Sequence, residues 1–162
     1  MAEAIDRRYF FDAGLRFACR RCGACCTGAP GRVRASGPEA QAIAGLLGRP
    51  LTDLVPTLLI PDGQGFRVRE HPDGRCVFYA AGCRIYPARP VQCRAYPFWF
   101  EILRTEAAWR REAARCPGIG EGNRYDREEI LALLSRDRRL AESEEIAPET
   151  AKEGQPPMTI DR

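Results

Sequence analysis

Apolar residues recur at helical spacing between Ser36 and Gly48, at positions 40, 43, 44 and 47, which predicts an amphipathic helix. Ser36 precedes Glu39 by three residues, the spacing of a capping box in which each side chain bonds the backbone N–H of the other residue. Gly48 and Pro50 end this helix, because glycine accepts the left-handed conformation and proline lacks the N–H that a longer helix needs.

Two further helices are expected. Thr52 is predicted to cap a short helix that Pro56 limits. A longer helix is predicted from Asp126 to Arg139, opened by Asp126 with Glu129 three residues later. The isoleucine and leucines between positions 130 and 134 form its apolar face, and the arginines of its last turn suit the negative end of the helix dipole.

Strand patterns are short. Residues 9–19 alternate with period two and predict an extended segment that bends at Gly14. Alternation over Gly65–Val77 predicts a hairpin, with turn chemistry at His71–Gly74 and a returning segment at Cys76–Tyr79. Short strands beside a few helices predict an irregular α+β fold.

Length and charge limit the architecture. The 162 residues, 44% hydrophobic and 29% charged, suffice for one globular domain, which we place at 1–140. Residues 141–162 hold six acidic residues against two basic ones, with three prolines and no aromatic residue, and predict a flexible acidic tail. A net charge of +3 gives no reason to expect a nucleic-acid partner. No apolar run approaches the roughly 20 residues of a membrane helix, so no membrane partner is expected.

Eight cysteines against one histidine are the feature of the composition that points to chemistry. Arg7 and Arg8 faintly resemble a twin-arginine export signal, but Asp12 and Arg16 interrupt the apolar stretch that such a signal needs. We therefore expect a cytoplasmic protein with reduced thiols, in which clustered cysteines bind metal or do redox chemistry. The lone His71 is expected to be a solvated turn residue rather than a ligand.

The cysteines form two sets. Four lie within eight residues, where Gly23 permits the tight backbone that turns consecutive thiolates onto a metal centre. The other four are spread farther along the chain, two of them beside Gly74 and Gly82, where loops can converge on a site. The predicted metal ligands are Cys19, Cys22, Cys25, Cys26, Cys76, Cys83, Cys93 and Cys116.

Neighbouring side chains diverge, so Cys25 and Cys26 are expected to serve two centres or two metals of one polynuclear centre. Cys19, Cys22 and Cys25 form the C-x2-C-x2-C part of a ferredoxin-type [4Fe–4S] pattern. The remote fourth ligand of that pattern is often followed by proline, as Cys116 is here. The second centre would then comprise Cys26, Cys76, Cys83 and Cys93.

This cysteine pattern resembles the signature of the CxxCxxCC family, small bacterial proteins associated with zinc or iron chelation. The resemblance covers residues 15–120 through segments in a fixed order. These segments are C-x2-C-x2-CC at 19–26, GRCVF at 74–78, CRIY at 83–86, RP-x2-CR-x-YPF at 89–98 and CPGIG at 116–120. The resemblance implies a cysteine-ligated metal or iron–sulfur centre, mostly without an assigned reaction; some related clusters are attached to flagellin lysine methylases.

Arginines and aromatic residues surround Cys93. Arg89 and Arg94 are expected either to donate hydrogen bonds to the sulfurs of a cluster or to form surface salt bridges. The aromatic segment 96–100, with Trp109, is expected either to shield the metal site or to dock a protein partner.

Together these features predict a small, irregular α+β domain stabilised by metal. The favoured function is that of an iron–sulfur protein, with a cluster of the [4Fe–4S] type, that transfers electrons or assists a modifying enzyme. A structural zinc protein acting as an interaction module is the alternative, as is an iron-dependent enzyme with an open metal position. Iron–sulfur is preferred because zinc ribbons use paired short knuckles, which this sequence lacks.

Overall fold

The structure is a computed structural model that describes residues 8–27 and 33–145, with side chains up to 136. Most of its helices and strands are short. In chain order they are β1 (Leu15–Phe17), α1 (Ala24–Thr27), β2 (Arg34–Ala35), α2 (Gly37–Leu47), α3 (Leu51–Leu54), β3 (Leu59–Asp62), β4 (Gly65–Val68), a 3₁₀ helix (Tyr86–Ala88), α4 (Val91–Ala95), α5 (Phe100–Leu103), α6 (Glu106–Ala113), β5 (Asn123–Tyr125) and α7 (Arg127–Glu145).

The strands in the described part of the chain form two antiparallel sheets. β1 pairs with β5, with Leu15 opposite Tyr125. The second sheet has the order β2-β4-β3, with Ile60 of β3 opposite Arg67 of β4. Helices accompany both sheets, so the predicted α+β fold is confirmed.

The helix predicted after Ser36 is present as α2. The Ser36 hydroxyl accepts the N–H of Glu39, whose carboxylate accepts the N–H of Ser36, and Gly48 ends the helix at φ 62°. The short helix α3 begins directly after Pro50, which occupies the N-cap position without a side-chain cap. The predicted capping role of Thr52 is therefore wrong, because the fixed φ of proline already directs the chain into the helix one residue earlier.

The hairpin predicted over residues 65–77 forms only beside its turn, where the Val77 N–H donates to the Arg69 carbonyl at 3.0 Å. β4 pairs with β3, which precedes it, and with β2. The turn at His71–Gly74 is present, with the Gly74 N–H donating to the His71 carbonyl at 2.8 Å, and the chain after it contributes a bridge between Glu70 and Cys76. The β3–β4 pairing prevails because it buries Leu59 and Val68 in the interior.

The extended segment predicted over residues 9–19 is a strand at β1 alone. Before β1 the chain forms a turn, in which the Asp12 carboxylate accepts the Tyr9 N–H at 3.0 Å and the Phe11 carbonyl accepts the N–H of Gly14. The predicted bend at Gly14 is confirmed by its φ of 83°. This turn contains Phe11, which lies in the interior at 1% exposed.

α7 begins as predicted and ends later. Asp126 accepts the N–H of Glu129 at 2.9 Å and Glu129 accepts that of Asp126 at 2.8 Å, a capping box around the start of the helix. The helix extends past the predicted end at Arg139 to Glu145. Residues 146–162 lie outside the described residues, so the acidic tail and the domain boundary stay predictions. None of the described helices is long and apolar enough to cross a membrane.

Two hydrophobic clusters form the interior. The first cluster joins β1, the aromatic segment and α7 around buried residues such as Phe11, Phe98 and Ile130. The second cluster joins α2, α3 and the β3–β4 strands around Ile43 and Leu59. Loops and short helices that carry the cysteines run between these two clusters.

Candidate metal centre

All eight cysteines line one cavity of about 250 Å³. Phe17 and Tyr96 of the first cluster and Val68 and Phe78 of the second also line it, so the cavity lies between the two clusters. Each of the eight is a free thiol. The structure thus brings together every cysteine that the sequence predicts as a ligand, across the whole distance from residue 19 to residue 116.

The first four cysteines follow β1. Cys19 and Cys22 are exposed in the loop after the strand, and Gly23 turns the chain at φ 80° into α1. α1 carries Cys25 and Cys26, both half-buried. The exposed pair therefore lies toward solvent, and the pair on α1 lies deeper.

Cys76 and Cys83 lie in the loop between β4 and the 3₁₀ helix. The N–H of Cys76 donates to the carbonyl of Cys26 at 2.8 Å, which joins this loop to α1. Cys83 forms an antiparallel bridge with Tyr79, whose ring fills the space that a Cβ at Gly23 would need. Glycine is required at position 23 for this close approach as well as for its positive φ.

Cys93 lies on α4, and Cys116 follows α6. Two residues after Cys116, the Gly118 carbonyl accepts the N–H of Ala18 at 3.0 Å. Because Ala18 precedes Cys19 in the chain, this hydrogen bond brings the loop of Cys116 beside the first cysteines. The remote cysteine of the predicted [4Fe–4S] set is thus held next to that set by backbone pairing.

Four of the cysteines share a local hydrogen bond that sequence reasoning missed: each accepts a backbone N–H from the residue two positions later. Such a bond stabilises the thiolate and orients the sulfur toward a metal. The Ala24 N–H donates to the Cys22 sulfur at 3.5 Å. In the same way the N–H groups of Phe78, Ile85 and Gly118 donate to the sulfurs of Cys76, Cys83 and Cys116, respectively.

The sulfurs of Cys25 and Cys26 are 3.8 Å apart, closer than the divergence of neighbouring side chains predicts. Two thiolates on one tetrahedral ion with metal–sulfur bonds of about 2.3 Å are separated by about 3.8 Å. The Cys26 thiol, through its hydrogen bonds, lowers the pKa of Cys25 and brings the pKa of Cys83 down to about 6, while its own pKa is raised. These three thiols therefore form one interacting group, in which the pKa of each depends on its neighbours.

Burial and the charge of Arg89 shift the pKa of the Cys93 thiol in opposite directions. Burial raises the pKa of Cys93 and of Cys76. Arg89 opposes this at Cys93, because its positive charge favours the thiolate. Its guanidinium lies 3.6 Å from the ring centre of Tyr86 and donates to the Tyr86 carbonyl at 3.0 Å. Arg94 also lines the cavity, with its side chain exposed.

The aromatic segment 96–100 is mostly interior. Tyr96 and Phe98 are 5% and 1% exposed, and Trp109 stacks on Phe98 with ring centres 6.0 Å apart. Tyr96 lines the cavity, in agreement with a shielding role. Phe100 is 42% exposed, and its docking to a protein partner stays a prediction. His71 is exposed in its turn.

Comparison with known proteins agrees with the cysteine geometry. A model of the CxxCxxCC family, described as "Putative zinc- or iron-chelating domain", matches residues 18–117. The chain belongs to this family. The matched residues include all eight cysteines of the cavity, so family membership and geometry both support metal binding. No solved structure matches the chain.

Within the described residues of this CxxCxxCC protein, no group of three or more His, Cys, Asp or Glu side chains is arranged to hold a single metal ion. The thiols instead surround a larger volume. The donor set still fits a metal centre, because eight cysteines, several with backbone N–H donors, face one cavity.

Proposed function

We propose that the eight-cysteine cavity binds iron as an iron–sulfur centre, and that this cytoplasmic protein transfers electrons or assists a modifying enzyme. The observation that supports this proposal most strongly is that all eight thiols line one cavity of about 250 Å³. When bound, an iron–sulfur cluster supplies one-electron transfer at a potential that the surrounding protein sets.

The size of the cavity favours a cluster over a single ion. A structural zinc site with four cysteines is closed around the metal and needs no further volume. Here the thiols surround space for additional atoms, such as the inorganic sulfides of a cluster.

The two hydrophobic clusters support a division of the ligands. Cys25 and Cys116 pack with the first cluster, and Cys76 and Cys83 pack with the second. This agrees with a [4Fe–4S] cluster on Cys19, Cys22, Cys25 and Cys116, and a second centre on Cys26, Cys76, Cys83 and Cys93. Because the sulfurs of Cys25 and Cys26 are 3.8 Å apart, the two centres would adjoin at this pair.

Arginines support the same proposal electrostatically. Eight thiolates place a large negative charge around the proposed centres, and Arg20, Arg21, Arg89 and Arg94 line the cavity. Arg89 favours the thiolate forms of Cys25, Cys83 and Cys93. These residues would hold the sulfurs deprotonated and ready to bind metal.

Anaerobic purification tests the proposal. Iron, zinc and acid-labile sulfide are measured per chain, together with the visible spectrum before and after reduction by dithionite. We expect iron and labile sulfide in similar amounts and a brown protein whose absorption bleaches on reduction. Zinc without labile sulfide would overturn the proposal.

A structural zinc module is the second candidate, favoured by one observation. The 3.8 Å separation of the Cys25 and Cys26 sulfurs equals the separation expected for two thiolates on one tetrahedral zinc ion. In that case the purified protein would be colourless, with stoichiometric zinc.

A further inference from the structure

The cavity of the candidate metal centre comes closest to solvent beside two of its cysteines. Cys19 and Cys22 are exposed, whereas the other six cysteines are half-buried or buried. A centre bound by these thiols would therefore approach the surface at this pair. Because electron transfer becomes slow as the distance grows, a redox partner has to dock against this part of the surface.

Arginines surround this part of the surface. Arg20, Arg21 and Arg94 line the cavity with exposed side chains, and we call them the rim arginines. None of the described residues that line the cavity is an aspartate or a glutamate. Arg20 pairs with Glu121 at 3.3 Å, but both side chains are 57% exposed, so solvent screens this pair. Among the described residues, Arg21 and Arg94 form no ion pair, so a partner meets positive charge that no carboxylate of this chain balances.

Arg21 is held at the rim by Tyr86. Its guanidinium lies 3.9 Å from the ring centre of Tyr86, and that of Arg89 lies 3.6 Å from the same ring centre. The backbone of Arg21 adopts a φ of 53°, a left-handed conformation that residues other than glycine seldom adopt. A guanidinium on an aromatic ring can still donate N–H groups from its edge to a carboxylate. Arg21 is thus fixed in place with its donors available.

We propose that the rim arginines form a docking surface for an acidic electron-transfer protein. The proposal deepens the proposed function, on which it rests, by naming the kind of partner. Carboxylates of such a protein would complement the guanidinium groups and bring its redox centre beside Cys19 and Cys22. One electron then passes from the reduced iron–sulfur centre to the oxidised centre of the partner, and no bond forms or breaks.

Two haem proteins of opposite charge test this surface: cytochrome b5, which is acidic, and cytochrome c, which is basic. The holoprotein is reduced with dithionite, freed of excess reductant and mixed with either ferric cytochrome, whose haem absorbance reports its reduction. We expect added salt to slow the reduction of cytochrome b5 and not that of cytochrome c. Electrostatic steering raises association rates by about 10- to 1000-fold in all, so Arg21→Gln and Arg94→Gln should each slow the reduction of cytochrome b5 about threefold or more. Loss of metal or a loosened fold would instead slow the reduction of both cytochromes.

Arg136→Gln is the matched control. Arg136 is exposed on α7 and does not line the cavity, and its replacement removes the same unit of charge. This variant should leave both rates unchanged. Direct binding, followed through chemical-shift changes in isotopically labelled cytochrome b5, gives a readout that does not depend on the identity of the metal. The two rim variants should weaken this binding, and the control should not.

The outcomes separate this inference from the proposed function. An iron–sulfur protein in which Arg21→Gln and Arg94→Gln behave like Arg136→Gln would overturn the docking surface alone. A zinc protein that reduces neither cytochrome, but binds cytochrome b5 through the rim arginines, would overturn the proposed function and confirm the acidic partner.

Discussion

Replacing Gly118 by alanine should separate the loop of Cys116 from β1. The new Cβ would overlap the carbonyl oxygen of Ala18, a backbone atom that cannot rotate away as the end of a side chain can. Two backbone hydrogen bonds cross this junction, from the Ala18 N–H to the Gly118 carbonyl at 3.0 Å and from the Gly120 N–H to the Arg16 carbonyl at 2.9 Å. Relieving the overlap requires the two segments to move apart, which breaks or stretches both.

The expected loss of stability follows from these bonds. A backbone hydrogen bond contributes about 1 kcal/mol net, so losing two lowers the free energy of unfolding by about 2 kcal/mol. For a domain of this size that corresponds to a fall in Tm of about 4–8 °C. The displaced loop carries Cys116, so the metal content per chain should fall as well.

Gly45→Ala is the matched control. Gly45 is exposed in α2, and a Cβ built there meets nothing within 4 Å. Alanine in a helix interior is more stable than glycine by about 0.5–1 kcal/mol, so Tm should rise slightly and the metal content should not change. Tm from circular dichroism and metal per chain from elemental analysis are measured for both variants. Wild-type Tm and metal content in Gly118→Ala would refute the reasoning.

Three further outcomes are expected. Cys22→Ser and Cys25→Ser should each lose metal and soluble protein, because folding is coupled to a complete ligand shell; wild-type metal content in either would contradict this. Cys26→Ser and Cys83→Ser should show the same partial loss of metal per chain, because both cysteines belong to the proposed second centre, whereas total loss in both would indicate one shared centre. Ending the chain after Arg139 should leave Tm nearly unchanged, since residues 130–134 supply the apolar contacts of α7 with the first cluster among its described side chains, which end at residue 136. A large fall would show that the removed residues pack on the domain.

The features that the sequence determined by itself are those made by neighbours in the chain. The box of Ser36 and Glu39 and the box of Asp126 and Glu129 each join residues three positions apart, so their hydrogen bonds form wherever the local backbone becomes helical. The order and spacing of the cysteines likewise identified the family, because that signature lies in the sequence itself.

The sequence pattern of a strand does not say which neighbouring segment it pairs with. The alternation in β4 predicted a strand correctly, but its partner could precede or follow it. The upstream strand β3 pairs with β4 over four residues and buries Leu59, whereas the downstream segment pairs only beside the turn, at Glu70 and Cys76. In the same way β5 was missed, since Asn123–Tyr125 is a strand because β1 lies beside it.

In the candidate metal centre, too, some features follow from the local sequence and others from tertiary contacts. Its donor atoms follow from the sequence, but their convergence on one cavity depends on contacts between distant segments, such as the Ala18 N–H on the Gly118 carbonyl. The Tyr96 hydroxyl reaches the Glu112 carboxylate because α6 packs against the aromatic segment, and neither residue carries a local sign of that contact. Ligand identity is a chemical property of single residues, whereas the shape of a site and its hydrogen-bond donors are properties of packing, which tertiary structure alone decides.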